Sequence, residues 1–267
     1  MPTKTLRHLL THADSLIFSA GAGMGVDSGL PDFRGNQGMW QAYPALGRQK
    51  IEFTAIANPQ AFKDNPRLAW GFYGHRLKLY RHTLPHQGFY HLLELAKTLD
   101  LPYFVFTSNV DGQFSKAGFD SNYLFECHGS IHHLQCAAPC CNTIWSAELL
   151  NPIIDTHHCQ WLGQLPTCPN CGGLARPNIL MFGDYHWVSH RQDEQQQRLR
   201  QFCKHHRNTL VIEIGAGVAV PTVRRFGEQF APRLIRINPK DTQLPTQGGI
   251  SLAMTAMAGI GAICQSI

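Results

Sequence analysis

Three apolar runs constrain the fold of this chain most tightly: Ser15 to Ser19, Tyr103 to Thr107 and Leu210 to Ile214. Each runs directly into a polar or glycine-rich turn, at Ala20 to Gly25, Ser108 to Gly112 and Gly215 to Pro221. A strand without polar alternation is covered on both faces, which is the situation in a parallel sheet sandwiched by helices. In such sheets, ligands collect at the carboxyl ends of the strands, where these turns lie. Arg233 to Ile237 is a fourth strand candidate, ending at Asn238-Pro239. A helical stretch from about Pro59 to Leu99 separates the first two runs. A turn-rich, cysteine-rich block separates the second from the third.

Nine cysteines are an odd number, and seven of them crowd between Cys127 and Cys171. A disulfide framework is typically even and belongs to short secreted chains, whereas local crowding with a CxxC points to metal. Cys168-Pro169-Asn170-Cys171-Gly172-Gly173 has the form of a zinc knuckle, and Cys136 with Cys140 supplies a second pair. Cys141 is an alternative to Cys140, and Cys159, His157 and His158 are further donors nearby. Four sulfurs close a tetrahedral site, so the zinc is expected to be structural. The expected fold is therefore α/β: a doubly wound parallel (Rossmann-like) sheet with a smaller inserted zinc-binding module and a helical segment. Residues 1–35, 100–130 and 179–267 are assigned to the nucleotide-binding part, 36–99 to the helical insertion and 131–178 to the zinc module.

Bulk properties exclude some classes. No stretch approaches the ~20 apolar residues of a membrane-spanning helix. The start, with Leu6, Leu9 and Leu10, lacks the apolar core of a signal peptide, so a soluble cytoplasmic protein is expected. The formal charge is +5, with Lys and Arg scattered rather than set in a stripe, so nucleic acid is not an expected partner.

Gly21-Ala22-Gly23-Met24-Gly25 follows the first strand, and bare amides in such a turn favour a pyrophosphate. Val26 stands where a dehydrogenase fingerprint has its third glycine, and the usual acid about 20 residues on is missing. Hydride transfer is disfavoured. The loop continues through Gly29-Leu30-Pro31-Asp32-Phe33-Arg34-Gly35, an acid, an aromatic and an arginine side by side. Taken alone, these three read as a surface turn with a solvated ion pair. Joined to the preceding glycines, the string closely resembles the cofactor loop of the sirtuin family.

Three further segments follow in the order that family has them. Thr107-Ser108-Asn109-Val110-Asp111 resembles its Asn-x-Asp signature, and Cys127-His128-Gly129 its catalytic His-Gly pair. Arg176 to Asp184 resembles the substrate-tunnel segment, which usually ends in Phe-Gly-Glu. The resemblance spans roughly Leu16 to Pro239. Departures from it are Met24-Gly25 for Ile-Ser, Ser108 for Gln, and Gly215-Ala216-Gly217 for Gly-Thr-Ser. They suggest a divergent bacterial-type branch.

The resemblance implies an NAD-dependent protein lysine deacylase. The acyl oxygen of an acylated lysine attacks C1′ of the nicotinamide ribose, nicotinamide leaves, and water releases free lysine and O-acyl-ADP-ribose. The partner would be an acylated protein or peptide. His128 is implied as general base, Asn109 as holding the ribose or a water, and Asp111 as accepting from the carboxamide. Fifteen histidines are present, and His132 and His133 lie close by, but only His128 has the matching context. Phe33 would cover the reactive face. Gly21, Ala22, Gly23, Asp32, Arg34 and Ser108 would line the cofactor site, with Gly215, Ala216, Gly217 and Asn238 toward adenosine. Leu180 and Phe182 would bind substrate. Tyr73 and Arg76, three apart on one helix face, look like the Tyr-x-x-Arg of sirtuins that remove succinyl and malonyl groups. The other reading packs Tyr73 on the small module and leaves Arg76 in solvent. For activity, the alternatives are an NAD glycohydrolase or ADP-ribosyltransferase using the same pocket, or a nucleotide-sensing module.

Overall fold

The computed structural model describes residues 2–31, 35–138 and 140–267. Eleven strands are described. They are β1 Ser15–Ala20, β2 Tyr103–Thr107, β3 Leu124–Glu126, β4 Gly129–Cys136, β5 Ile144–Ser146, β6 Ile154–Asp155, β7 Gln160–Trp161, β8 Ala175–Ile179, β9 Thr209–Ile214, β10 Leu234–Ile237 and β11 Ile250–Leu252. The helices up to the second strand are α1 Pro2–His12, α2 Gly35–Ala42, α3 Pro44–Arg48, α4 Phe53–Ile56, α5 Pro59–Asp64, α6 Pro66–His82 and α7 Gln87–Thr98. They are followed by α8 Gln113–Lys116, α9 His190–His205, α10 Thr222–Glu228 and α11 Ala256–Cys264. None is long and apolar enough to cross a membrane.

Six strands form one parallel sheet in the order β11-β10-β9-β1-β2-β3. The chain winds outward from β1 in one direction and from β9 in the other, so the strand order reverses between β1 and β9. A crevice opens at such a switch point, at the carboxyl ends of the strands. The four strands read from sequence all lie in this sheet. Its composition explains the missing polar alternation: Leu16 and Phe18 pack with Leu10, Leu92 and Ile260 of α1, α7 and α11. Ile17 and Phe104 face the other way, onto Leu199, Phe202 and Val223 of α9 and α10.

A second, three-stranded antiparallel sheet has the order β5-β4-β8 and belongs to the cysteine-rich part. It shares a core with the helices from α2 to α6, in which Trp70, Phe72, Tyr73 and Leu77 meet Ile131, Leu134, Trp161 and Met181. Helix α6 begins where Asn65 accepts from the Leu68 amide (3.1 Å) and Pro66 fills the first turn. It carries two mid-helix glycines, each costing about 1 kcal/mol against alanine. The β6–β7 hairpin explains them. A Cβ on Gly71 would lie 2.0 Å from the Cys159 carbonyl oxygen, and one on Gly74 would lie 2.8 Å from the Trp161 ring. Helix α7, by contrast, buries Phe89, Leu92 and Leu95 against the parallel sheet.

Candidate active site

The switch-point crevice is built from backbone packed on backbone. After β1 the chain turns through a 3-10 helix, Ala22–Ser28. A Cβ on Gly23 would lie 2.7 Å from the Gly215 Cα, and one on Gly21 would lie 2.8 Å from the Gly215 carbonyl oxygen. Gly215 itself has φ +60°, and a side chain there would meet Gly23 at 2.4 Å. The two loops interlock with no room for a β-carbon, which suits amides approaching a pyrophosphate. Behind them, His86 carries its proton on Nε2, donating to the Met24 carbonyl (2.9 Å), while Nδ1 accepts from the Gly88 amide (3.0 Å). Burial holds this imidazole below its ordinary pKa, which keeps that neutral arrangement. Nothing in the motifs pointed to His86.

The loop after β2 is pinned to the same place. Thr107 donates to the Ala20 carbonyl (2.9 Å) and accepts from the Asn109 amide (3.0 Å), and the Asn109 side chain donates to the Gly21 carbonyl (2.9 Å). Asp111 caps the short α8 by accepting from the Gln113 amide (2.8 Å), and His132 donates to the Asp111 carbonyl (2.9 Å). His132 therefore supports Asp111 from behind. Burial, with a smaller contribution from Glu126, pushes the Asp111 carboxyl up to about 6.

His128 leaves β3 with its carbonyl accepting from the Leu180 amide (2.9 Å), and its Nε2 lies 3.4 Å from the Thr222 hydroxyl. Burial lowers its pKa below the ordinary value, so it is neutral at pH 7 and able to take a proton. Gly129 follows at φ +82°, where a Cβ would lie 2.1 Å from the Asn178 carbonyl oxygen. The His-Gly pair is thus a steric requirement of the β4–β8 crossing as well as a motif. Thr222 carried no sequence signal.

One cavity of about 480 Å³ joins these parts. Gly21, Ala22 and Gly23 line it with Gly215, Ala216 and Gly217. Ser108, Asn109, Asp111 and His128 line it too, as do Tyr73, Arg76, Leu180 and Phe182. Asp32, Phe33 and Arg34 lie outside the described residues. Asn238 does not line the cavity. It is fully buried, its amide donates to the Ala216 carbonyl (2.9 Å), and its oxygen accepts from the Lys240 and Asp241 amides. It holds the second glycine loop, and Asp241 reaches the cavity in its place. Arg76 is buried, not solvated: its Nε and Nη2 donate to the Tyr80 hydroxyl (2.9 and 2.7 Å). Tyr73 is fully buried as well, and its phenol is pushed up to about 12 by burial, so it remains a neutral hydroxyl. The apolar lining from Phe53, Val218 and Val220 was missed because single apolar residues in a one-turn helix or a loop carry no pattern.

Away from the cleft, the sulfurs of Cys136, Cys140, Cys168 and Cys171 all lie within 4.8 Å of one another. Cys136 and Cys171 are 3.7 Å apart, and Cys140 and Cys168 3.6 Å. A tetrahedral zinc thiolate site with ~2.3 Å bonds has sulfur–sulfur edges of ~3.8 Å. The donor set fits zinc with no position left open. Cys141 touches only Cys140 of the four, at 3.5 Å.

Comparison with known proteins agrees with this geometry. The sequence profile of the Sir2 family matches residues 21–222. A protein of Pyrococcus furiosus named NAD-dependent protein deacylase is 33% identical over 178 residues, covering 66% of this chain and 64% of its own length. A Leptospira interrogans protein of the same name is 31% identical over 225 residues, covering 83% and 80%. A Sir2 homologue solved as an NAD complex superposes with a TM-score of 0.75 at 25% identity, over 99% of this chain and 93% of the other. The matched span runs from the first glycine of the phosphate loop to the threonine beside His128, and the chain belongs to the Sir2 family.

Proposed function

We propose that the chain is an NAD-dependent protein lysine deacylase. The observation that carries this reading is the convergence of His128, Asn109 and Asp111 in a single cleft. The interlocked glycine loops and apolar side chains from Phe53, Met181 and Val220 line the same cleft. Gly21 to Gly23 and Gly215 to Gly217 would hold NAD, which would supply a ribose carbon with nicotinamide as leaving group. The amide oxygen of an acylated lysine is a weak nucleophile, so the protein's contribution is orientation and exclusion of water. Leu180 and Phe182 at the rim, with Met181 beneath, suit the alkyl stem of the lysine. His128, neutral in its buried setting, takes the proton of a ribose hydroxyl. Asp111, ionised above about pH 6, accepts from a carboxamide. Asn109, fixed to Gly21, offers its oxygen to the ribose or to a water.

None of the nine cysteines is in a disulfide, and four of them gather as zinc ligands, which suits a reducing compartment, and we read the chain as cytoplasmic. Acyl preference follows from Tyr73 and Arg76. Both line the cavity, so a guanidinium and a neutral phenol are available to the acyl group. A planar guanidinium matches a carboxylate with two donors. Succinyl-lysine peptide is therefore expected to drive nicotinamide release faster than acetyl-lysine peptide. Arg76→Ala should cost roughly 1.5–3 kcal/mol in kcat/KM on the succinyl substrate and little on the acetyl one. Peptide-dependent nicotinamide release, followed with both peptides, checks this. Equal losses on both substrates would assign Arg76 a purely structural role, and release indifferent to peptide would remove the deacylase reading.

A further inference from the structure

Strand β8 leaves the zinc module and becomes the wall of the cleft. Residues Ile179 to Phe182 line the cavity, whereas Arg176 before them and Asp184 after them do not. The Arg176 and Asp184 side chains are 1% and 0% exposed, with Nη2 donating to Oδ1 at 2.8 Å. Asp184 also accepts from the backbone amides of His186 (3.2 Å) and Met181 (3.4 Å), and Arg176 Nη1 donates to the Ile179 carbonyl (3.3 Å). The pair thus fastens both ends of the wall. A buried ion pair is a poor source of stability, because desolvation of two charges offsets most of their attraction. Its retention here calls for another role.

The register of the small sheet suggests that role. Arg176 pairs with Gln135, and its neighbour Ala175 pairs with Cys136, one of the four thiols. Two residues on, Asn178 donates to the Gln135 side chain (2.9 Å). The metal module and the substrate wall are therefore joined by the one strand β8, and the ion pair spans the end of that strand and the wall after it. We propose that Arg176 and Asp184 are positioning residues that hold the Ile179–Phe182 wall in register with the acylated lysine and tie it to the zinc module. Neither touches substrate. The inference rests on the deacylase reading for the identity of what the wall binds.

The test separates peptide from cofactor. Asp184→Asn is expected to raise KM for the acyl-peptide about 10-fold while kcat and KM for NAD stay within about twofold. Arg176→Lys keeps the charge but gives up the two-pronged contact, and is expected to raise peptide KM about threefold. Asp184→Glu, restoring the usual family carboxylate, is expected to recover most of the wild-type value. Zinc content and thermal unfolding identify folded variants. Hydrogen exchange at the Met181 and His186 amides, faster in Asp184→Asn with the rest of the chain unchanged, reads the fastening without the reaction. Unchanged peptide KM in the folded variants, or equal increases in both KM values, would overturn the proposal. Wild-type protein that releases no acyl group would sink the deacylase reading instead, and unchanged exchange at the two amides would then sink the fastening as well.

Discussion

His128→Ala is expected to lower deacylation by about 10²–10⁴-fold, the usual worth of a positioned proton acceptor. NAD affinity should change little, because among the described residues the imidazole's hydrogen-bonding neighbour is the Thr222 hydroxyl at 3.4 Å and not a glycine loop. The loss belongs in kcat and kcat/KM alike, as for an interaction made in the transition state. The pH dependence follows from two buried groups. Burial depresses the His128 pKa, so the base is neutral above its ordinary range and is lost only as pH falls below it. Burial raises the Asp111 carboxyl to about 6, so its acceptor role is lost as pH falls through that value. Both effects act on the acid side. The acid limb of kcat/KM should therefore lie near pH 6, with activity flat above it through neutrality. A His128→Ala variant retaining wild-type rate would remove the His128 assignment, and an acid limb near pH 4 would remove the Asp111 role.

Cys168→Ser is expected to abolish zinc binding and, with it, cooperative unfolding of the small module. Structural zinc contributes roughly 10–16 kcal/mol of apparent binding free energy in small zinc domains, and a three-thiolate remnant forfeits most of that. The consequences reach the cleft, because β4 carries Cys136 at one end and Gly129, next to His128, at the other. Wild type should hold one equivalent of zinc per chain, and the variant almost none, with a broadened, lower thermal transition. A variant with full zinc content and an unchanged transition would show that Cys168 is not a ligand. Cys140→Ser is expected to behave like Cys168→Ser, since Cys140 lies in the tight group and Cys141 touches only its edge.

Legibility in the sequence tracked repetition of simple physical demands. The four strands read from sequence sit in the parallel sheet because burial on both faces leaves an unbroken apolar run. The glycine loops were visible because two backbones in contact admit no β-carbon at Gly21, Gly23 and Gly215. The three-residue strands β3 and β11 were not visible, because their length carries no period. Strand β4 was hidden by a bulge between Ser130 and Leu134, which breaks the alternation. Helix α7 read as part of the helical segment, yet it covers the parallel sheet, because an amphipathic helix does not encode which surface receives its apolar face. In the candidate site, the four thiols stood out by their spacing, and His128, Asn109 and Asp111 by the family motifs that hold them. Residues acting through others did not. His86, His132 and Thr222 gain their roles only from neighbours brought in by the fold. Asn238 was implied as a cofactor contact by the family resemblance, and in the folded chain its amide braces Ala216.

Mass analysis of the products from one incubation with NAD and acyl-lysine peptide tests the deacylase reading most directly. A deacylase yields nicotinamide, deacylated peptide and O-acyl-ADP-ribose in equal amounts, with the acyl mass moved from peptide to ADP-ribose. Free ADP-ribose beside an intact acyl-peptide, or ADP-ribose attached to the peptide or the protein, would contradict that reading and identify a glycohydrolase or a transferase.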